Sequence, residues 1–251
     1  MKTLWILMLA VLFCSCSKSE ALARVSNNTN VAETQIRSYV VNDKWEYNYT
    51  YNADQTLKEL IFYTDGELQF TESFTYKKGR IVESLKEKAD ASLSVKKQYE
   101  YKGDVIVEQR IYTNGILSEV FHYEYNKENI MEKVTCKKIS NSYESTQKTV
   151  ITKLAGENKI KVEREGVATH VLTYDDNITP LATIPAYKAI VQINNHGLSV
   201  NTLFNEIYVG DKCSTRVEED LEWDGNQLLG STISYKHADK VHIQETKYEY
   251  E

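Results

Sequence analysis

The sequence predicts an all-β protein, an antiparallel meander of repeated β-hairpins forming a long, twisted and curved sheet, with a closed barrel or a sandwich as the alternatives. Aromatic pairs two residues apart recur as Tyr49/Tyr51, Phe74/Tyr76, Tyr99/Tyr101 and Tyr123/Tyr125, their second members 25, 25 and 24 residues apart. A polar residue separates the two members of each pair, and side chains two apart leave the same face of a strand. Turn dipeptides divide the alternating runs, Asp65-Gly66 and Asn114-Gly115 being the clearest. Such dipeptides mark type I′ hairpin turns, which need φ > 0 at both central positions.

Composition agrees with this class. Only 10 glycines and 2 prolines in 251 residues exclude a collagen-like or linker-like polymer, and 41% hydrophobic content excludes wholesale disorder. The net charge of -6, with Lys and Arg spread along the chain, leaves no basic stripe to displace counterions, so nucleic acid is excluded as a partner.

Residues 1–15 read as a signal peptide. Lys2 supplies the positive start and Leu4 to Phe13 the apolar stretch, which is too short to span a bilayer. Phe13-Cys14-Ser15-Cys16 resembles a bacterial lipobox. Cys16 is the lipidation candidate, because Cys14 follows the bulky Phe13. Phe13 also stands where Leu is usual, three residues before Cys16. Residues 16–37 then form a lipid-anchored flexible tether, polar and aperiodic, with an r.m.s. span of roughly 25 Å. The expected address is the cell envelope, as an outer membrane lipoprotein. Lys18 and Glu20 resemble a weak form of the charged export signal of surface lipoproteins of Bacteroidetes and point to surface exposure.

Residues 38–251 form the repeat domain. In Trp45-Glu46-Tyr47-Asn48-Tyr49-Thr50-Tyr51 the aromatics share one face of a half-buried strand. A short turn and a second alternating run follow each aromatic pair, the second runs opening at Leu57, Ile81, Val105 and Ile130. The period continues faintly through Tyr174 and Trp223 and closes at Tyr248/Tyr250. About eight hairpin units give roughly 14 to 18 strands, more than one open sheet holds without coiling, splitting or closing. Nothing between Arg37 and Asp175 asks for a helix. An irregular insertion at 175–219 carries both prolines, Pro180 and Pro185, and the polar turn Asn194-Asn195-His196-Gly197; Ala186 to Ile193 reads as a short helix or a strand.

An aromatic pair, a short Gly- or Asp-containing turn, an apolar residue and a later Asp-Gly or Asn-Gly together resemble the YD-repeat of Rhs-type bacterial surface proteins. With the lipobox, the chain is similar to the YD-repeat-like lipoproteins of Bacteroidetes, a family without assigned biochemical function. The resemblance covers about 210 residues and is degenerate; the literal dipeptide occurs at Tyr174-Asp175, whereas Asn52, Lys77, Lys102 and Asn126 follow the earlier pairs. The closed shell of large Rhs proteins needs many more repeats and is not carried over.

No nucleophile elbow, His-Glu-x-x-His, P-loop or Gly-x-Gly-x-x-Gly occurs, and the five histidines are scattered. The reading is therefore no enzyme, no cofactor and no metal. Glu59, Glu83 and Glu132 recur two residues after an apolar strand opener, with Val107 breaking the series; repeat register explains them as well as a site does. The tyrosines suit either a core of cross-strand pairs or a wet binding face. Cys136 and Cys213 remain open between a disulfide and two free thiols. Candidate ligand-binding residues are Tyr187, Asn194, Asn195 and Trp223. The expected function is a non-enzymatic cell-envelope lipoprotein acting as an extended β-sheet binding or structural scaffold. The alternative is a carbohydrate-binding accessory protein using an exposed Tyr/Trp face. Its partners are the membrane, through the N-terminal lipid, and a glycan or another protein.

Overall fold

The computed structural model describes residues 35–140, 143–154, 159–165, 169–178, 182, 184, 186–194, 201–209, 216–224, 227–237 and 240–250. The strands are β1 (Ile36–Val41), β2 (Trp45–Tyr51), β3 (Leu57–Thr64), β4 (Glu67–Lys77), β5 (Arg80–Lys88), β6 (Ser94–Lys102), β7 (Val105–Thr113) and β8 (Ile116–Tyr125). They continue as β9 (Met131–Ser140), β10 (Tyr143–Lys153), β11 (Lys159–Arg164), β12 (Thr169–Ile178), β13 (Asn201–Val209), β14 (Arg216–Asp224), β15 (Gln227–His237) and β16 (Lys240–Tyr250). A single helix among the described residues, α1 (Lys188–Asn194), lies between β12 and β13.

Each strand pairs antiparallel with its sequence neighbours, so the all-β meander of repeated hairpins expected from the sequence is the fold. Tight turns set the register. Thr64 pairs Glu67 across Asp65-Gly66 (φ 51° and 79°), and Thr113 pairs Ile116 across Asn114-Gly115 (φ 49° and 79°), the two positive values a type I′ turn demands. A bulge recurs at the other end of each early repeat. The ladder shifts at Thr50/Tyr51, Thr75/Tyr76, Glu100/Tyr101 and Glu124/Tyr125, which re-aims the second aromatic of every pair.

The sheet does not stay open. β1 pairs with β16, from Ile36 opposite Tyr250 to Val41 opposite Thr246, so the strand order returns on itself and the alternative of a closed barrel is realised. Backbone and side chains both seal the seam: Asn42 N–H donates to the Glu245 carbonyl at 2.8 Å, and Ser38 Oγ donates to Glu249 Oε2 at 3.0 Å. Sixteen twisted strands exceed the roughly 10 that an open sheet tolerates. Rolling the sheet shut also covers its aromatic face.

The buried aromatic and aliphatic side chains face inward. Ile81, Tyr99, Ile106, Tyr123, Met131, Ile151, Ile160, Val162 and Leu172, from β5 to β12, form one cluster with Ile190 and Ile193 of α1. Residues from eight consecutive strands can meet one helix only on the concave side of the wall. A second cluster, Ile36, Tyr49, Leu57, Leu60 and Ile184, lies on the other side of Tyr187, which packs against both. Barrels of about 16 strands are wide enough for an aqueous channel; here α1, Ile184 and Tyr187 lie in that space. The helix suits the place, because Ile190, Val191 and Ile193 bury more than one side of it.

Within the expected irregular insertion at 175–219, β12 runs to Ile178, α1 follows, and β13 and β14 supply strands. These strands lack the aromatic pair, so the repeat loses its clearest marker while the ladder continues.

Candidate functional site

The repeat builds the interior in layers. Ile36, Leu57, Ile81, Ile106, Met131, Ile160 and Leu228 are at most 1% exposed and form an apolar ring near one end of the barrel. Val105 opens β7 as the pattern expects and is itself buried, Ile106 beside it joins the ring, and Met131 opens β9 one residue after the expected Ile130. The second tyrosine of each pair hydrogen-bonds back over this ring. Tyr51, Tyr76, Tyr101, Tyr125 and Tyr250 donate their hydroxyls to the carbonyls of Ile36, Leu57, Ile81, Ile106 and Leu228 at 2.6, 2.8, 2.9, 2.8 and 3.0 Å. A half-buried phenol needs such a partner, and the bulge supplies the angle.

Above the ring a buried polar chain crosses from β4 to β8. Ser84 Oγ donates to Glu72 Oε1 at 2.7 Å and lies 3.5 Å from the Tyr99 hydroxyl, while the Tyr123 hydroxyl donates to Gln109 Oε1 at 2.9 Å. Burial pushes the Tyr99 and Tyr123 phenols far above their ordinary range. Further round the wall, Tyr248, Tyr39, Tyr47, Phe62 and Phe70 stand side by side on successive strands, with ring centroids 5.6, 4.4, 4.5 and 4.8 Å apart. Lys86 Nζ caps the series 3.4 Å from the Phe70 centroid. These rings largely satisfy one another, as cross-strand core pairs do.

One part of the inner wall is hollow. Between β7 and β11 a cavity of about 370 Å³ is backed by Phe121, Tyr123, Val134 and Cys136 and reaches Ile193 of α1. Strand register brings its polar groups together. Glu119 lies opposite Lys138, Phe121 opposite Cys136, Cys136 opposite Gln147, and Thr149 opposite Arg164. Lys138 Nζ is 3.9 Å from Glu119 Oε1, at the outer limit of an ion pair. The Arg164 guanidinium has no carboxylate within 4 Å among the described residues. Burial raises the pKa of the Cys136 thiol, Glu119 adds to the rise, and Lys138 and Arg164 oppose it. Cys136 is a buried free thiol; Cys213 lies outside the described residues.

The outer wall is charged. Lys133 pairs with Glu124, Lys137 Nζ lies 2.9 Å from Glu144 Oε2, and Lys161 Nζ lies 2.7 Å from Glu163 Oε1. The carboxylate series lies on this face and runs differently from the expectation. Counted from Ile106, Glu108 follows Glu59 and Glu83 in register, Lys133 follows Glu108, and Glu132 is displaced by the bulge. Glu108 contacts Arg110 and lies 3.1 Å from His122 Nδ1, and Glu83 accepts from Gln98 Nε2 at 3.0 Å. Equivalent carboxylates sit two strands apart, about 9.6 Å, and Glu83 and Glu108 each have partners of their own, so the series forms no joint site.

Of the sequence-derived candidates, only the Tyr187 side chain is described. Tyr187 is interior, its ring edge-on to Phe74 at 5.7 Å, the core placement. Asn194 ends α1, and Trp223 pairs Leu228 at a register shift in β14; neither side chain is among those described. Asn195 and Cys16 lie outside the described residues. The cavity residues Glu119, Lys138 and Arg164 carried no sequence signal beyond strand alternation.

No family model and no curated protein matches the chain. Among solved structures, the fold resembles that of a porin-like protein from Bacteroides uniformis, with a TM-score of 0.57 and 11% identity over 87% of this chain and 99% of that one. A porin-like protein from Bacteroides vulgatus aligns over the same shares, with a TM-score of 0.45 and 12% identity.

Proposed function

We propose that the protein is a non-enzymatic, lipid-anchored cell-envelope protein whose closed barrel serves as a water-exposed binding scaffold and forms no transmembrane pore. The charged outer wall carries this reading. A membrane-embedded barrel shows lipid an apolar belt and keeps polar side chains inside. Here the arrangement is reversed among the described residues, with the aliphatic ring, the tyrosine pairs and α1 inside and ion pairs outside. Any Lys or Arg of that wall brought to the bilayer midplane would cost about 2–4 kcal/mol.

The lipobox at Cys16 and the fold-level likeness to a porin-like protein of Bacteroides support an envelope address, and the degenerate repeat supports the resemblance to YD-repeat-like lipoproteins. A membrane partner would be reached through the lipid, and a glycan or protein partner through the barrel. The described tyrosine pairs face inward, so a glycan-stacking outer face would lack them. The full chain added to planar bilayers should give no stepwise conductance, and brominated acyl chains should leave its aromatic fluorescence unquenched. Conductance steps together with strong quenching would overturn the proposal.

A further inference from the structure

We propose that the cavity between β7 and β11 binds a small, hydroxylated organic acid of sugar-acid size, with its carboxylate on Arg164 and its body against Phe121. Arg164 is the anchor because its planar fork suits a carboxylate and nothing in the described wall occupies it. Lys138 is the second cation, held only loosely by Glu119 at 3.9 Å. Across the wall that the cavity lines, two cations face one carboxylate, so the local balance is 2 − 1 = +1 and favours an anion. The Gln147 amide, whose Nε2 reaches the Glu165 carbonyl only at 3.4 Å, and the Thr149 hydroxyl supply partners for hydroxyl groups.

Size supports the same class. About 370 Å³ fits a ligand of one to two sugar rings, at the lower end of the roughly 300–1,000 Å³ of ligand pockets. Half-enclosure by an apolar back wall strengthens a charge-assisted bond at the rim. Cys136 on that back wall gives a reporter beside the ligand.

The proposal deepens the scaffold reading and is tested separately from it. The full chain in detergent is titrated with D-glucuronate, D-galacturonate and D-gluconate, and with D-glucose as the neutral control, by calorimetry. At least one acid should bind, with glucose weaker by about tenfold or more. Arg164→Gln should lower that affinity by about tenfold and Arg164→Lys by less, since an ammonium keeps the charge and loses the fork. The bound acid should slow modification of Cys136 by a thiol reagent over the same concentration range. Arg164 is exposed, and unchanged circular dichroism confirms that the variants fold. No binding by any acid at millimolar concentration, equal binding of glucose, or binding indifferent to Arg164→Gln would each overturn the proposal. An absence of binding with no bilayer conductance would remove the ligand and leave the scaffold reading in place.

Discussion

Raising the pH past about 10 should unfold the barrel through its own tyrosines, since a phenol in an unfolded chain ionises near that value. Tyr49, Tyr99 and Tyr123 are 6–7% exposed, and burial holds their phenols neutral well above it. Tyr76, Tyr101 and Tyr250 are pushed up to about 12, chiefly by burial. The folded values lie above the unfolded one, so the stability is fully present below about pH 10 and is lost as the pH climbs toward the folded values. At about pH 11 each of the three buried phenols favours the unfolded chain by about 1.4 kcal/mol, or about 4 kcal/mol together. That is a large share of the roughly 5–15 kcal/mol that holds a domain together. The half-exposed tyrosines add less, because water screens them. Urea midpoints by circular dichroism across this range, with tyrosinate absorbance in parallel, should show both changing together between about pH 10 and 12. Tyrosines that titrate freely near pH 10 on an intact fold would refute the reasoning.

Two substitutions test the local devices of the repeat. Tyr101→Phe deletes the bond to the Ile81 carbonyl and should lower stability by about 0.5–1.5 kcal/mol in urea unfolding; an unchanged midpoint would mean that water replaces the bond at no cost. Gly66→Ala meets open space but keeps a φ of +79°, so it should cost about 1–2 kcal/mol from the backbone alone, read as a lower melting temperature.

Much of the architecture was legible because it is local. The spacing of Tyr99 and Tyr101 names a strand face, and Asn114-Gly115 names a turn, without reference to any distant residue. Which residue enters the innermost ring was less legible: Val105 opens β7 as expected, yet past the bulge at Glu100/Tyr101 it is Ile106 that is buried most deeply, and both are apolar. Which face turns inward, and whether the sheet closes, depends on Ile36 meeting Tyr250, and no local pattern encodes that pairing. Glu119, Lys138 and Arg164 come from three separate strands and look like ordinary surface charges until the register sets them round one hollow.

The β1–β16 seam also bears on how the chain matures. Nearly every other pairing joins consecutive segments, so a ribbon emerging N-terminus first can zip up hairpin by hairpin. The free flank of β1 must wait more than 200 residues for its partner, as the 211-residue separation of Ser38 and Glu249 shows. Until the last segment arrives, that flank offers unpaired donors and acceptors to any neighbouring chain. The final strand therefore acts as a latch, and clipping it off would convert a self-contained ring into a template for aggregation.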